Sequence, residues 1–267
     1  MTEPTDLFRP ETLVAVDAVE RALELVRRRV GAEDVTSKSA RDVVTATDVV
    51  VEDAVRGIVR KALGFSVMGE ERGGWVSADG SPYWLLDPIC GTRNFASDIP
   101  LCCVNLALVE GDRITAAVVG DPSTGEIHLA ERGRGAWTLN GDARRRLTTS
   151  DKSGTIVIED GKSKGTRREH AAQFTAGAIR ADRWDFRSLG TTLALPYVAA
   201  GRIAAYVVFC VSAIHAGAGN LLVAEAGGRL SDIDGQPWTI HSDSVVASAT
   251  SDLHGELLEL ARSSLAL

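Results

Sequence analysis

Apolar residues recur at helical spacing in two segments near the start of the chain. Residues 11–30 carry one apolar stripe after a proline, which predicts an amphipathic helix. A second stripe predicts a helix over residues 48–62. The segment before it, "VVTATD", is typical of a helix N-terminus capped by Thr47 or Asp48.

Short apolar runs bounded by turn residues follow these helices and predict strands. They cover residues 65–68, 84–87, 101–109, 113–119, 126–130 and 135–139. The polar stretch at 142–153 predicts a boundary, with an N-terminal α+β half at 1–145 and a C-terminal half at 146–267. Beyond it strand-like and helix-like segments alternate, which predicts an α/β second half.

Composition narrows the possible partners. The chain has 267 residues, 45% of them hydrophobic, and a formal net charge of −7. Non-specific nucleic-acid binding needs a basic face, so we expect no nucleic-acid partner. No apolar run approaches the roughly 18–20 residues of a membrane span, and the first residues do not have the pattern of a signal peptide. Four irregularly spaced cysteines are too few for a disulfide framework, which favours a reduced cytoplasmic location.

The stretch "YWLLDPICGTRNF" carries the strongest candidate chemistry. Asp87 ends an apolar strand and is followed by a turn that contains Gly91. The carboxylate of Asp87 can hold a hard cation, and the N–H groups of Gly91 and Thr92 can point at a phosphate. From the residues alone this pattern is only moderately specific, because an Asp-Pro turn that leads into a helix would look the same.

Two further candidates have ordinary explanations that are, taken alone, the more common ones. Glu70 and Glu71 follow an apolar strand and predict either a solvated loop or a share in a metal site with Asp87. His215 precedes a small-residue helix, where a lone histidine is more often a cap or a packing residue than a ligand.

Taken together, the motifs resemble the inositol monophosphatase family. "VTATD", "GEE", "WLLDPICGTRNF" and "AGNLLVAEAGG" occur in that family's order and span nearly the whole chain. The resemblance implies an α/β fold of αβαβα layers with the site between the two halves. It also implies a hydrolase that releases phosphate from a small phosphorylated metabolite (a sugar, cyclitol or nucleotide phosphate) with Mg²⁺, and a homodimer by analogy.

The resemblance assigns roles residue by residue. Glu70, Asp87 and the carbonyl of Ile89 match the ligands of the first Mg²⁺ ion. Asp48 and Thr92 match the pair that orients the attacking water, so the catalytic set is Glu70, Thr92 and Asp48.

The same comparison assigns the groups around the substrate. Gly91, Thr92 and Arg93 match the phosphate-binding turn. Thr192 lies in a segment that resembles the substrate-side turn. Val208 stands where the family often has an acidic residue that touches substrate hydroxyls.

The second metal site departs from the family pattern. Two aspartates that would join Asp87 are replaced by Cys90 and His215. Asp87, Cys90 and His215 together suit Zn²⁺ or Fe²⁺ rather than Mg²⁺. Three hypotheses follow: a phosphatase with a softer second metal, a one-metal enzyme or one with a different reaction, or an inactive relative that binds a phosphorylated ligand. Because the second-site aspartates are replaced and Val208 cannot accept a hydrogen bond from a substrate hydroxyl, we expect that myo-inositol 1-phosphate is not the physiological substrate.

The remaining histidines and cysteines show no ligand spacing. The histidines are predicted to lie on the surface or in loops: His128, His170, His241 and His254. The cysteines are predicted to pack within strands: Cys102, Cys103 and Cys210.

Overall fold

A computed structural model describes residues 8–29, 34–40, 42–74 and 80–265. Within these ranges the chain forms seven helices: α1 Pro10–Arg28, α2 Ala46–Leu63, α3 Thr92–Ala96, α4 Gly165–Ala181, α5 Ala194–Ala199, α6 Ala213–Glu225 and α7 Ser251–Leu265. None of the helices in the described ranges has both the length and the apolar character needed to cross a membrane.

The strands form a hairpin and two larger sheets. The hairpin pairs β1 Val35–Ser39 with β2 Asp42–Thr45. The seven-stranded sheet contains, in spatial order, β3 Ser66–Gly69, β4 Tyr83–Cys90, β5 Cys103–Glu110, β6 Arg113–Gly120, β7 Ile127–Glu131, β8 Gly135–Asn140 and β9 Ala143–Arg146. The five-stranded sheet contains, in spatial order, β11 Asp185–Arg187, β10 Thr155–Glu159, β12 Ala205–Val208, β14 Val245–Ser248 and β13 Arg229–Ser231.

The structure has five layers, which pack together through three apolar cores. The stripes of α1 and α2 pack on one face of the seven-stranded sheet. Helices α5 and α6 lie between the two sheets and share the central core with both of them. Helices α4 and α7 cover the outer face of the five-stranded sheet. This order is αβαβα, as the family resemblance implies.

The first two helices follow the predicted stripes closely. Helix α1 ends at Arg28, and the next residue takes a left-handed conformation with φ of 51°. Val30, the last residue of the predicted helix, lies outside the described residues, as do residues 1–7. The cap of α2 is Thr45, so the prediction of Thr47 or Asp48 is wrong. Asp48 instead completes a capping box from the third helical position.

The polar stretch at 142–153 is only partly a connection. Its first part forms β9, whose four residues are all exposed at the edge of the sheet. Charged side chains on an edge strand discourage pairing with other chains, which explains why the segment is polar. The chain then changes sheet between β9 and β10. The division into two halves at residues 145 and 146 remains a prediction.

Three predictions about single side chains are wrong. His128 is fully buried in β7, where its Nδ1 lies 2.7 Å from the Thr138 hydroxyl. His170 is also buried, in α4. Cys102 and Cys103 are buried as expected, but Cys210 is exposed beyond the end of β12.

Candidate active site and metal centre

Strand β4 brings two of the predicted ligands to the end of the seven-stranded sheet. Every residue of β4 after Tyr83 is buried, as expected for a strand flanked by two others. Its pairing with β5 becomes irregular between Asp87 and Cys90, where Pro88 has no N–H to donate. Such a bulge bends a strand and redirects the side chains beside it. Asp87 and Cys90 both line one cleft.

Gly91 makes the turn from β4 into α3. Its φ of 100° lies in the left-handed region, which favours glycine. A Cβ at this position would lie 2.8 Å from the Leu101 carbonyl oxygen and 3.1 Å from the Thr191 Cβ. A side chain here would be both strained and crowded, so the turn requires glycine.

Glu70 and Asp87 form the carboxylate part of the site. Burial and the nearby charge of Asp87 raise the pKa of Glu70 to about 8. Asp87 is fully buried, and its Oδ1 has no hydrogen-bond partner among the described residues. A buried carboxylate oxygen without a partner is costly. A cation bound by these oxygens would remove that cost and favour the ionised form of Glu70, so the donor set fits a hard divalent ion.

Thr92 connects the turn to Asp48 of α2. Its Oγ1 lies 2.9 Å from the Ile89 carbonyl oxygen and 3.2 Å from Asp48 Oδ1. Asp48 Oδ2 accepts hydrogen bonds from the Thr45 N–H at 2.8 Å and from the Thr45 hydroxyl at 2.5 Å. Burial raises the pKa of Asp48 to about 6, although the Thr45 hydrogen bonds oppose the shift. A carboxyl group with this pKa can accept and return a proton near neutral pH.

His215 reaches the same place from the first turn of α6. The ligand atoms of Asp87, Cys90 and His215 all lie within 4.8 Å of one another. His215 Nδ1 lies 2.6 Å from Asp87 Oδ2 and 3.8 Å from Glu70 Oε2. Burial disfavours a charge on His215, but attraction to Asp87 outweighs it and raises the pKa of His215 to about 10. At neutral pH the contact is therefore an imidazolium–carboxylate ion pair.

The spacing of this pair is shorter than that of two ligands on one ion. Zn²⁺ holds nitrogen and oxygen ligands at about 2.0–2.1 Å, which at a tetrahedral angle separates them by about 3.3 Å. The His215–Asp87 contact is 2.6 Å. Binding through both atoms would require His215 to lose its Nδ1 proton and move away from Asp87. The residue types fit Zn²⁺ or Fe²⁺, whereas the spacing is that of a hydrogen bond.

Cys90 is held by the turn that contains Thr191 and Thr192. The Thr192 N–H donates to Cys90 Sγ at 3.3 Å, and the Thr192 hydroxyl oxygen lies 3.0 Å from the sulfur. The Thr191 hydroxyl donates to the Cys90 carbonyl at 2.9 Å. A hydrogen bond with Cys103, together with burial, raises the pKa of Cys90 well above its ordinary value. Thr192, predicted on the substrate side, thus lies against the sulfur.

The site opens into a cleft of about 640 Å³. Val208 lines this cleft and is only 2% exposed. At the rim, Lys162 forms an ion pair of 2.6 Å with Asp42 of β2. The guanidinium of Arg93 donates to the carbonyl of Ala40 at 3.0 Å. The β1–β2 hairpin therefore contacts α3 and the segment after β10.

The sequence model of the inositol monophosphatase family matches residues 9–266. This chain belongs to the inositol monophosphatase family. A curated relative, Nus factor SuhB of Pseudomonas aeruginosa, is 36% identical over 263 residues, which cover 91% of this chain and 93% of that protein. Inositol-1-monophosphatase of Mesorhizobium japonicum is 36% identical over 217 residues, or 80% of each chain.

Solved structures of similar proteins share the architecture. Extragenic suppressor protein SuhB of Bartonella henselae aligns with a TM-score of 0.85 and 27% identity, covering 94% of this chain and 97% of that one. Mycobacterium tuberculosis SuhB aligns with a TM-score of 0.77 and 28% identity, covering 99% and 98%. The predicted inositol monophosphatase-like α/β fold is confirmed.

Family membership supports metal-dependent hydrolysis of phosphate monoesters at the level of the family. The names of the relatives are nevertheless of two kinds. Some are inositol-1-monophosphatases and others are Nus factors, and the second name does not describe a phosphatase. The expectation that this chain has no nucleic-acid partner, which rests on net charge alone, is therefore not supported.

Sequence reasoning missed two charged residues that contact the turn carrying Glu70. Lys38 of β1 lies 3.3 Å from Glu70 Oε1 and 2.5 Å from Glu71 Oε1. Nothing in the pattern of that exposed strand indicates this contact. Glu52 is buried in α2 and supports the turn that carries Glu70. The sequence did contain a sign of the role of Glu52, because an acidic residue stands next to Val51 on the buried face of the helix.

Proposed function

We propose that this chain hydrolyses a small phosphate monoester with a metal-activated water, through an intact first cation site and an altered second one. The observation that carries the proposal is the fully buried Asp87, whose Oδ1 lacks a partner among the described residues and lies in the same cleft as Glu70. Oxygen donors of this kind are the ligands that Mg²⁺ takes in proteins.

The first site would use Glu70, Asp87 and the carbonyl of Ile89. A divalent cation held there lowers the pKa of a coordinated water and neutralises charge on phosphoryl oxygens. Thr92 Oγ1 lies between the Ile89 carbonyl and Asp48, so it can orient a water molecule and pass a proton to Asp48. The N–H groups of Gly91 and Thr92, with the positive charge of Arg93, would bind the phosphate.

The second site would be either a soft-metal site or an ion pair. Asp87, Cys90 and His215 supply a carboxylate, a thiol and an imidazole within 4.8 Å, a set suited to Zn²⁺ or Fe²⁺. In the ion-paired arrangement the imidazolium of His215 supplies one positive charge at that position. A second cation ordinarily stabilises the departing oxygen, so either arrangement would disfavour poor leaving groups.

Substrate choice follows from Val208. Where an acidic side chain could accept hydrogen bonds from a polyol, the cleft presents an apolar one that is 2% exposed. We propose that myo-inositol 1-phosphate is not the physiological substrate. Turnover of it at about 1–10³ s⁻¹, a rate typical of enzymes, would refute this point.

A binding function is the second candidate. It is favoured by the 2.6 Å contact that pairs Asp87 with His215, and by the relatives that are named as Nus factors. A homodimer and a cytoplasmic location remain proposals by analogy in either case.

Metal content and phosphate release separate these candidates. Protein purified without chelator is analysed for zinc, iron and magnesium, and phosphate release is measured with added Mg²⁺. We expect Glu70→Gln and Asp87→Asn to lose activity by more than the roughly 10–100-fold that outer-shell changes cost. Cys210→Ser, at an exposed thiol lining the same cleft, serves as the control. Wild-type protein that releases no phosphate from any small monoester with Mg²⁺, Zn²⁺ or Fe²⁺ would refute the hydrolytic proposal.

A further inference from the structure

Glu52 is a charged residue on the buried face of α2. Its neighbours on that face are apolar, with Val51, Val55 and Val59 fully buried. Glu52 is itself 0% exposed. Burying a carboxylate is costly unless it is paired and hydrogen-bonded, so its contacts indicate what it does.

The carboxylate of Glu52 is bound by four donors from two directions. Arg56, one turn along the helix, donates to Oε1 from Nε at 2.9 Å and from Nη2 at 2.7 Å. The backbone N–H of Glu71 donates to Oε2 at 2.8 Å, and that of Arg72 donates to Oε1 at 2.9 Å. The two backbone donors come from the turn that carries Glu70.

On the other side of this turn, the backbone of Gly69 lies close against the Glu52 carboxylate. A Cβ on Gly69 would lie 2.2 Å from Glu52 Oε1, so glycine lets the backbone approach the carboxylate directly. Arg56 also donates to the carbonyl of Val67 at 2.6 Å and to the carbonyl of Gly73. The Glu52–Arg56 pair therefore contacts the turn both before and after Glu70.

We propose that Glu52, held by Arg56, is a positioning residue that fixes Glu70 for the first divalent cation. The inference rests on the proposed function, because it takes Glu70 as a ligand. At Glu70 itself, the backbone N–H donates to the Leu86 carbonyl at 3.1 Å. Partners of this outer-shell kind change metal affinity by about 10–100-fold when they are removed.

The test is a calorimetric titration of Mg²⁺ into chelator-treated full-length protein. Glu52→Gln keeps the shape but removes the charge that faces Arg56. We expect its Kd for Mg²⁺ to rise about 10–100-fold, with kcat largely restored at saturating Mg²⁺. Asp53→Asn is the matched control. Asp53 is the next residue on the helix, 54% exposed in its side chain, and pairs with the side chain of Arg72 at 2.9 Å. An exposed pair contributes little, so its Kd should stay within about twofold of wild type.

Folding is monitored by thermal melting, and a second variant covers the case in which Glu52→Gln unfolds. Arg56→Lys keeps the positive charge but loses the fork that binds Glu52 and the turn, so its Kd for Mg²⁺ should also rise. A Kd unchanged in the folded variants would overturn the inference and leave the proposed function standing. Wild-type protein that binds no Mg²⁺ would overturn both, because the first cation site would then be absent.

Discussion

Zinc binding to the cluster of Asp87, Cys90 and His215 must displace protons, and their number can be worked out from the site. At neutral pH the imidazole is charged, because Asp87 raises the pKa of His215 to about 10. The pKa of Cys90 is also raised well above its ordinary value, by Cys103 and by burial. A metal takes neutral imidazole and thiolate. Binding at all three ligands should therefore release two protons.

Two released protons make the apparent affinity rise about hundredfold for each pH unit, by linkage. The cost of freeing His215 alone can be bounded. A pKa of about 10 is three units above pH 7 (10 − 7 = 3), and each unit is worth 1.36 kcal/mol. This gives an upper bound of about 4 kcal/mol, or about a thousandfold in affinity, because the side chain is still 31% exposed.

The assay is a competition titration of Zn²⁺ with a chromophoric chelator between pH 6 and 8.5. Mg²⁺ is present in excess to occupy the first site. The slope of log affinity against pH should be close to 2 in the unmodified chain and close to 1 in Cys90→Ser. The control Cys210→Ser should keep the slope of 2, since Cys210 is exposed and outside the cluster. A slope near zero, or a slope unaffected by Cys90→Ser, would refute the three-ligand site and favour the ion pair.

Three further predictions concern the groups around this cluster. Mg²⁺ at the proposed first site needs ionised Glu70, and burial and Asp87 raise the pKa of Glu70 to about 8. Calorimetry should therefore show that Mg²⁺ affinity rises about tenfold per pH unit below pH 8 and levels off above it. The same pH dependence in Glu70→Gln would contradict this prediction. Asp48→Asn should lower kcat about 10²–10⁴-fold with little change in KM. A rise in KM with kcat unchanged, in steady-state assays, would contradict a proton-accepting role for Asp48. The raised pKa of His215 means that its ion pair with Asp87 stabilises the fold fully below about pH 6.5 and is lost as the pH rises through about 10. Thermal melts of chelator-treated protein should lose stability between about pH 6.5 and 10, and this decline should be absent in His215→Gln.

The helices and strands of the N-terminal half were predictable because their signals are local, whereas the αβαβα layers were implied by the family resemblance. The apolar stripes of α1 and α2 and the short buried strands follow directly from hydrophobic period. Single residues were harder to place. The buried His128 is hydrogen-bonded to the hydroxyl of Thr138 on the neighbouring strand, and no sequence pattern predicts that partner. Thr45 caps α2 because Asp48 returns the hydrogen bond, which a search for one capping residue overlooks.

The residues of the candidate site were predictable, but their relationship was not. Family positions indicated that Cys90 and His215 would be neighbours, and their ligand atoms do lie within 4.8 Å of each other and of Asp87. The 2.6 Å contact between His215 and Asp87 is that of a hydrogen bond, and the two side chains would have to separate to roughly 3.3 Å to bind one ion. The identities of the residues do not predict the distance between their side chains.

Charge balance explains why this distance matters. The acidic groups Glu70, Glu71 and Asp87 are opposed within the chain by Lys38, 3.3 Å from Glu70 and 2.5 Å from Glu71, and by His215, 2.6 Å from Asp87. A cation at the proposed first site must compete with the Lys38 ammonium and, because Asp87 belongs to both proposed sites, with the His215 imidazolium as well. Mg²⁺ carries two charges against one on Lys38, which is 28% exposed and can turn towards solvent. His215 is paired with a fully buried carboxylate and is itself a proposed ligand of the second site, so a metal there requires His215 to lose its proton, whereas a metal at the first site does not.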